Sequence, residues 1–197
     1  MSSIVSQTML PQLPGGLFRL SVQDYHEMIE AGILTPEDKV ELIDGYLVKK
    51  MPQNTPHSST IMRITKILIR VLPADWNARI QLPITLASSE PEPDAALVRG
   101  DDRSFDTRHP EPADFGIVIE VADSTLAFDR GIKLELYAEA HIPEYWIVNL
   151  VENQVEVYTQ PQGTSYTTRT DYTTGQSVPL VLDGIAAGTI PVDDLLP

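Results

Sequence analysis

The 197-residue chain contains no cysteine. That excludes disulfides and thiolate metal sites, and it fits a cytoplasmic protein. Positive charge is scarce: 14 Lys and Arg stand against 28 Asp and Glu, a net charge of −14. Such a surface repels nucleic acid at long range, so contact with a phosphate backbone requires a local basic patch acting within a Debye length of roughly 8–10 Å. No apolar run approaches the roughly 18 residues of a membrane span, and the N-terminus lacks the basic-then-apolar pattern of a secretory signal, so no membrane partner is expected. The Gly-x-Gly-x-x-Gly and P-loop phosphate cradles are missing, as is the Gly-x-Ser-x-Gly elbow. His26, His57, His109 and His141 show no zinc-site spacing.

What is present suits a folded domain. Residues 1–17 carry Ser, Gln, Pro and Gly without periodicity and read as a flexible N-terminal arm. Residues 18–197 are expected to form one domain, because no internal repeat or long linker divides them. The organising stretch is Phe115 to Asn149. It opens with the apolar run Ile117-Val118-Ile119, meets an acid at Glu120 and continues through Val121. A short β-branched run of this kind is a strand buried on both faces, where a carboxylate needs a cation, a metal or several donors. A polar turn at Asp123-Ser124-Thr125, a helix over Phe128–Ala140 and a β-rich run Tyr145-Trp146-Ile147-Val148 complete a βαβ crossover.

Other elements gather around it. Ser21 reads as an N-cap with Asp24 three residues later, and Gly32 as a helix stop. Asp44-Gly45 between Val40-Glu41-Leu42-Ile43 and Tyr46-Leu47-Val48 is a hairpin signal. A helix over His57–Leu72 carries an apolar stripe of Ile61, Ile64, Leu68 and Leu72. Arg63, Lys66 and Arg70 line its other side, as a solvated face or as a contact for a phosphate backbone. Ile80–Leu86 reads as a strand broken by Pro83, an edge. Asp94 opens a short strand to Val98. Residues 99–112 form a long loop of the kind that carries function. After the crossover, Val155–Tyr158, a turn at Pro161-Gln162-Gly163 and a Thr-rich strand over Ser165–Thr170 form an antiparallel meander. The tail from Ser177 packs as a short terminal element.

The candidate chemistry lies in Asp94, Glu120 and Lys133, with Glu41 and His57 behind them. Neighbouring strands lie about 4.8 Å apart, so acids on one face of adjacent strands can share a divalent ion. Magnesium takes one or two carboxylates and keeps waters for the substrate side. Lys133 follows Asp129 by one helical turn. It is either half of an ordinary i,i+4 pair or a cation aimed at the attacking water or developing charge.

Several motifs occur in order: Pro93-Asp94, Arg108-His109-Pro110, Val118-Ile119-Glu120-Val121-Ala122-Asp123-Ser124-Thr125, Asp129-Arg130, Lys133, Tyr137-Ala138 and Ile142-Pro143-Glu144-Tyr145-Trp146. Together with the Glu41–Gly45 hairpin and His57, they resemble the Uma-two family of bacterial proteins assigned as endonucleases. That family is part of the PD-(D/E)XK, restriction-endonuclease-like superfamily, and the likeness covers roughly residues 18–197. It implies an α/β (α+β) fold, a mixed β-sheet flanked by helices, with a Mg2+ or Mn2+ site near its middle. It implies that Asp94 and Glu120 bind the metal, that Glu41 is a further acid, and that DNA is the substrate. The superfamily's Glu-x-Lys lysine belongs at position 122, where this chain has Ala122; Lys133 on the following helix takes its place. His141 stands where glycine is expected. The alternative is a catalytically weak or inactive module of the same fold that binds nucleic acid or a protein partner. In a further reading, the β-rich C-terminal half could supply a homodimer surface.

Overall fold

The computed structural model describes residues 16–101 and 103–197. The expected arm, Gly16 and Leu17 apart, lies outside the described residues. The central strand is β5, Phe115–Ala122, buried along its whole length. It pairs antiparallel with β4 (Ala95–Arg99) and parallel with β6 (Glu144–Asn149). The parallel pair is joined by the expected crossover. Strands β3 (Trp76–Ile80), β7 (Gln154–Gln162) and β8 (Ser165–Thr173) complete a six-stranded mixed sheet ordered β3-β4-β5-β6-β7-β8. Its last three strands form the antiparallel meander.

Alternation along β5 divides the core. Ile117, Ile119 and Val121 face α2 (Thr55–Val71) and the C-terminal hairpin β9 (Ser177–Leu182)–β10 (Ile185–Pro191), with the short α5 (Val192–Leu195). Val118 and Ala122 face the other way, against Tyr145, Ile147 and the crossover helix. Glu120 shares their face by the period of two. Helix α1 (Val22–Glu30) starts at a capping box between Ser21 and Asp24. The hairpin β1 (Val40–Ile43)–β2 (Tyr46–Lys49) turns through Asp44 and Gly45, both left-handed at φ 48° and 78°. That is the geometry for which Asp-Gly is suited.

Several boundaries differ from expectation. The strand read over Ile80–Leu86 is instead β3, ending at Ile80. Gln81 takes a left-handed φ of 50° and the chain leaves the sheet before Pro83, which has no N–H to donate. Ile84 and Leu86 are nonetheless buried, as anchors of an irregular segment. Strand β7 runs on to Gln162, so the turn falls on Gly163 rather than at Pro161. The crossover helix is not one α-helix. Leu126–Phe128 forms α3, Asp129–Lys133 a π-helical turn, and Leu134–Glu139 α4.

Gly116 shows how closely the sheet is packed. A Cβ there would lie 2.6 Å from the Trp76 ring and 2.8 Å from Leu182. Gly116→Ala is therefore expected to cost about 1–3 kcal/mol through overpacking. A thermal midpoint equal to that of the native protein would show that Trp76 gives way freely.

Candidate active site

The C-terminal end of β5, the start of β4, the β1–β2 hairpin, the start of α2 and the π turn surround one cavity of about 610 Å³. Glu41, His57, Asp94, Glu120 and Lys133, widely separated in sequence, all line it, together with Asp129. Arg63, Lys66 and Arg70 do not. Arg63 Nη1 donates to the Leu196 carbonyl at 3.0 Å and ties α2 to the C-terminus. Lys66 and Arg70 point into solvent.

Asp94 immediately precedes β4. The register Ala95↔Ile119 carries it beside Glu120 at the next step. Its Oδ2 accepts from Val121 N at 2.8 Å and lies 3.1 Å from His57 Nε2; Gln81 Nε2 donates to Oδ1 at 3.4 Å. His57 is held by the start of α2, where the Asn54 side chain caps the helix by accepting from the His57 N–H. Glu41, also buried, accepts from Glu92 N at 3.0 Å.

Glu120 is 3% exposed, and its Oε1 accepts from both Lys133 Nζ and Tyr137 OH at 2.8 Å. Lys133 and Tyr137 stand one turn apart on the crossover, so one helical face clamps one carboxylate oxygen. The lysine absent from position 122 is replaced in space: Ala122 is fully buried in the core against α4, while Lys133 reaches the same carboxylate from the helix. Tyr137 carries no chemical signal of its own in the sequence; its i,i+4 step from Lys133 is the one clue to its place.

Sequence spacing makes Asp129 an ordinary partner of Lys133. In the structure it is 2% exposed, and its Oδ2 is buried with no hydrogen-bond partner. Asp129 opens the π turn and Lys133 closes it, and both side chains are buried there.

The charges strain against burial. Burial raises the Glu120 carboxyl above its ordinary range, while Lys133, 2.8 Å away, pulls it back toward the carboxylate and the negative charges of Asp94 and Asp129 add to the rise. Burial also raises Asp129, to about 6, against the pull of Lys133 and of the Thr125 side chain and with Asp94 and Glu41 adding to it. For Lys133, burial works against the ammonium, but Glu120, Glu41 and Asp129 outweigh it and hold the group above its usual range. Lys133 is therefore a cation paired with Glu120. His57 is likewise raised: burial opposes its charge, and Asp94 and Asp129 prevail.

This arrangement fits a hard divalent cation. The donors are the carboxylate oxygens of Asp94 and Glu120, and with Asp129 beside them the acids repel one another in a desolvated pocket. Among the described residues no three His, Asp or Glu side chains form a ready-made cage. An ion here would be completed by waters and substrate oxygens, as magnesium commonly is.

The six-stranded mixed sheet flanked by helices is a restriction-endonuclease-like arrangement. A crystal structure at 1.96 Å of a putative nuclease of the DUF820 group from Anabaena variabilis ATCC 29413 superposes with a TM-score of 0.64. The two chains are 16% identical over 85% of this one and 96% of the other. The model of the Uma2 family, described as a putative restriction endonuclease, matches residues 22–192, and the chain belongs to that family. No curated protein matches it. Among the described residues no helix is long and apolar enough to cross a membrane.

Proposed function

We propose that the chain is a metal-dependent endonuclease that hydrolyses phosphodiester bonds of DNA. The observation that carries this reading is the buried Lys133–Glu120 pair opening on the same cavity as Asp94. Family membership and the nuclease-like fold support it. Asp94 and Glu120 hold Mg2+ or Mn2+, with Glu41 as the further acid. When bound, the cation supplies Lewis acidity toward a phosphoryl oxygen and offsets the charge that develops there. Lys133 keeps Glu120 ionised and presents positive charge to the scissile phosphate. Tyr137 fixes the Glu120 rotamer, and His57 fixes Asp94. Lys66 and Arg70, exposed on α2, give a basic strip for the phosphate backbone on an otherwise acidic protein. Reversing their charge should weaken DNA binding and flatten its salt dependence by roughly one unit of slope for each phosphate no longer neutralised. A salt slope equal to that of the native protein would return them to a solvated face.

The test is calorimetric titration of Mg2+ and Mn2+ into the native protein and into Asp94→Asn/Glu120→Gln, alongside nicking of supercoiled plasmid. Binding and nicking that both vanish in the variant support the assignment. Nicking that survives would remove these acids from the chemistry.

The net charge of −14 favours a second reading, a weakly active module of this fold that binds nucleic acid or a protein, itself included. It predicts partner binding that survives Asp94→Asn and no cation affinity. Light scattering distinguishes a homodimer from a monomer.

A further inference from the structure

We propose that Asp129 is the general base that takes the proton from the attacking water, an assignment that rests on the nuclease reading above. Phosphodiester hydrolysis needs an acceptor for that proton, and the cavity offers few. Lys133 Nζ is an ammonium engaged with Glu120 and has no free lone pair. Glu120 Oε1 already accepts two hydrogen bonds, and Asp94 Oδ2 accepts from Val121 N and faces His57. Both acids are also committed to the cation. Asp129 lines the same cavity, and its Oδ2 is buried with no hydrogen-bond partner; His57 Nδ1 is the other such atom among the cavity's residues, on a ring that Asp94 and Asp129 hold toward its charged form.

A buried carboxylate oxygen without a partner costs stability and is rare in a native protein. Here the fold holds it in place. Tyr145 OH donates to the Asp129 carbonyl at 3.2 Å, and the adjacent Arg130 is anchored to β7 through Glu156. The free oxygen is thus preorganised. The groups around it set its basicity: Glu41 from β1, His57 from α2, Asp94 before β4, Glu120 from β5 and Lys133 on its own turn.

In the step, the water oxygen forms its bond to phosphorus while one water proton passes to Asp129 Oδ2. The bond from phosphorus to the leaving sugar oxygen breaks, and that oxygen takes a proton from solvent. Asp129 then returns its proton to solvent, and the site is restored.

The experiment compares Asp129→Asn and Asp129→Ala with the native protein for Mn2+ affinity by calorimetry and for Mn2+-dependent DNA cleavage with and without added formate. Asp129→Asn keeps the shape of the side chain and should fold. Expected are native Mn2+ affinity, turnover lower by about 10²–10⁴-fold, and recovery by formate in the Ala variant only, where the space is open. Native turnover in Asp129→Asn overturns the assignment. Lost Mn2+ binding in that variant overturns it in favour of a ligand role, and recovery by imidazole in a His57→Ala variant gives the proton to His57 instead. A native protein that binds Mn2+ yet cleaves no DNA overturns the nuclease reading and this one with it, a result distinct from each of the others.

Discussion

Lys133→Met is expected to lower folding stability by about 3–5 kcal/mol and to abolish cleavage. The lysine and Glu120 are both nearly inaccessible, at 7% and 3% exposure, and their charged atoms meet at 2.8 Å. Removing the cation leaves the Glu120 carboxylate desolvated and without a counter-charge, next to the negative Asp94 and Asp129. Breaking a buried pair in this way costs about 3–5 kcal/mol, a large share of the roughly 5–15 kcal/mol that a folded domain has. A second substitution separates charge from shape. Glu120→Gln/Lys133→Met contains no buried pair and should recover much of the loss, because uncharged replacements of similar volume are often neutral. Both variants should be inactive. Urea denaturation of the native protein, the two single variants and the double variant gives the coupling energy directly. A Lys133→Met variant within about 1 kcal/mol of native stability would mean that Glu120 sheds its charge cheaply in the free protein, and that the ion pair adds little to the fold.

The parts of this site that can be read before folding are those whose reason is local. Glu120 is conspicuous because a carboxylate interrupts a β-branched run, and Asp44-Gly45 because two left-handed positions favour those residues. Period-two alternation along β5 then decides which face Glu120 joins. Ile84 and Leu86 mislead because their burial comes without strand pairing. They anchor an irregular segment through neighbours distant in sequence, and a left-handed Gln81 has already ended the strand.

Asp129 is illegible for another reason. Over five residues, α-helical and π-helical turns give the same pattern of types, and the contacts made by the wider turn, Tyr145 OH on the Asp129 carbonyl and Arg130 on Glu156, come from elsewhere in the chain. Arg63 shows the same limit, since its partner Leu196 lies at the far end of the chain. Basic spacing on a helix face cannot distinguish a phosphate contact from a tie to a distant carbonyl. Tyr137 and Lys133 can be paired by spacing, yet the carboxylate they share comes from the preceding strand.

Arg130 lies between Asp129 and Lys133, and its substitution should disturb stability and chemistry together. Its guanidinium donates to Glu156 at 2.6–3.2 Å and to Glu152, and Glu156 is fully buried on β7. Asn149 and Tyr158 add donors at 2.7 and 2.6 Å. Burial alone would raise the Glu156 carboxyl, but Arg130, Tyr158, Asn149 and Arg169 together bring it down to about 2. A carboxyl depressed in the folded state stabilises the protein fully above its unfolded value, about 4.3, and that contribution is lost as pH falls toward the folded value. Arg130→Met is therefore expected to cost about 3 kcal/mol at pH 7, the lower end for a buried pair because Arg169 remains beside Glu156. The gap between variant and native protein should narrow on going to pH 3, as Glu156 takes up a proton in the variant and in the unfolded chain while the native carboxylate stays ionised. Urea midpoints at the two pH values measure this, and an equal gap at both would show that Arg130 acts through packing rather than charge. The variant should also cleave DNA more slowly at temperatures where it is fully folded, because the π turn that presents Asp129 and Lys133 has lost its anchor to β7. Native turnover in a folded Arg130→Met protein would mean that Tyr145 and the Glu120 clamp suffice to hold that turn, leaving the Arg130 network a purely structural part.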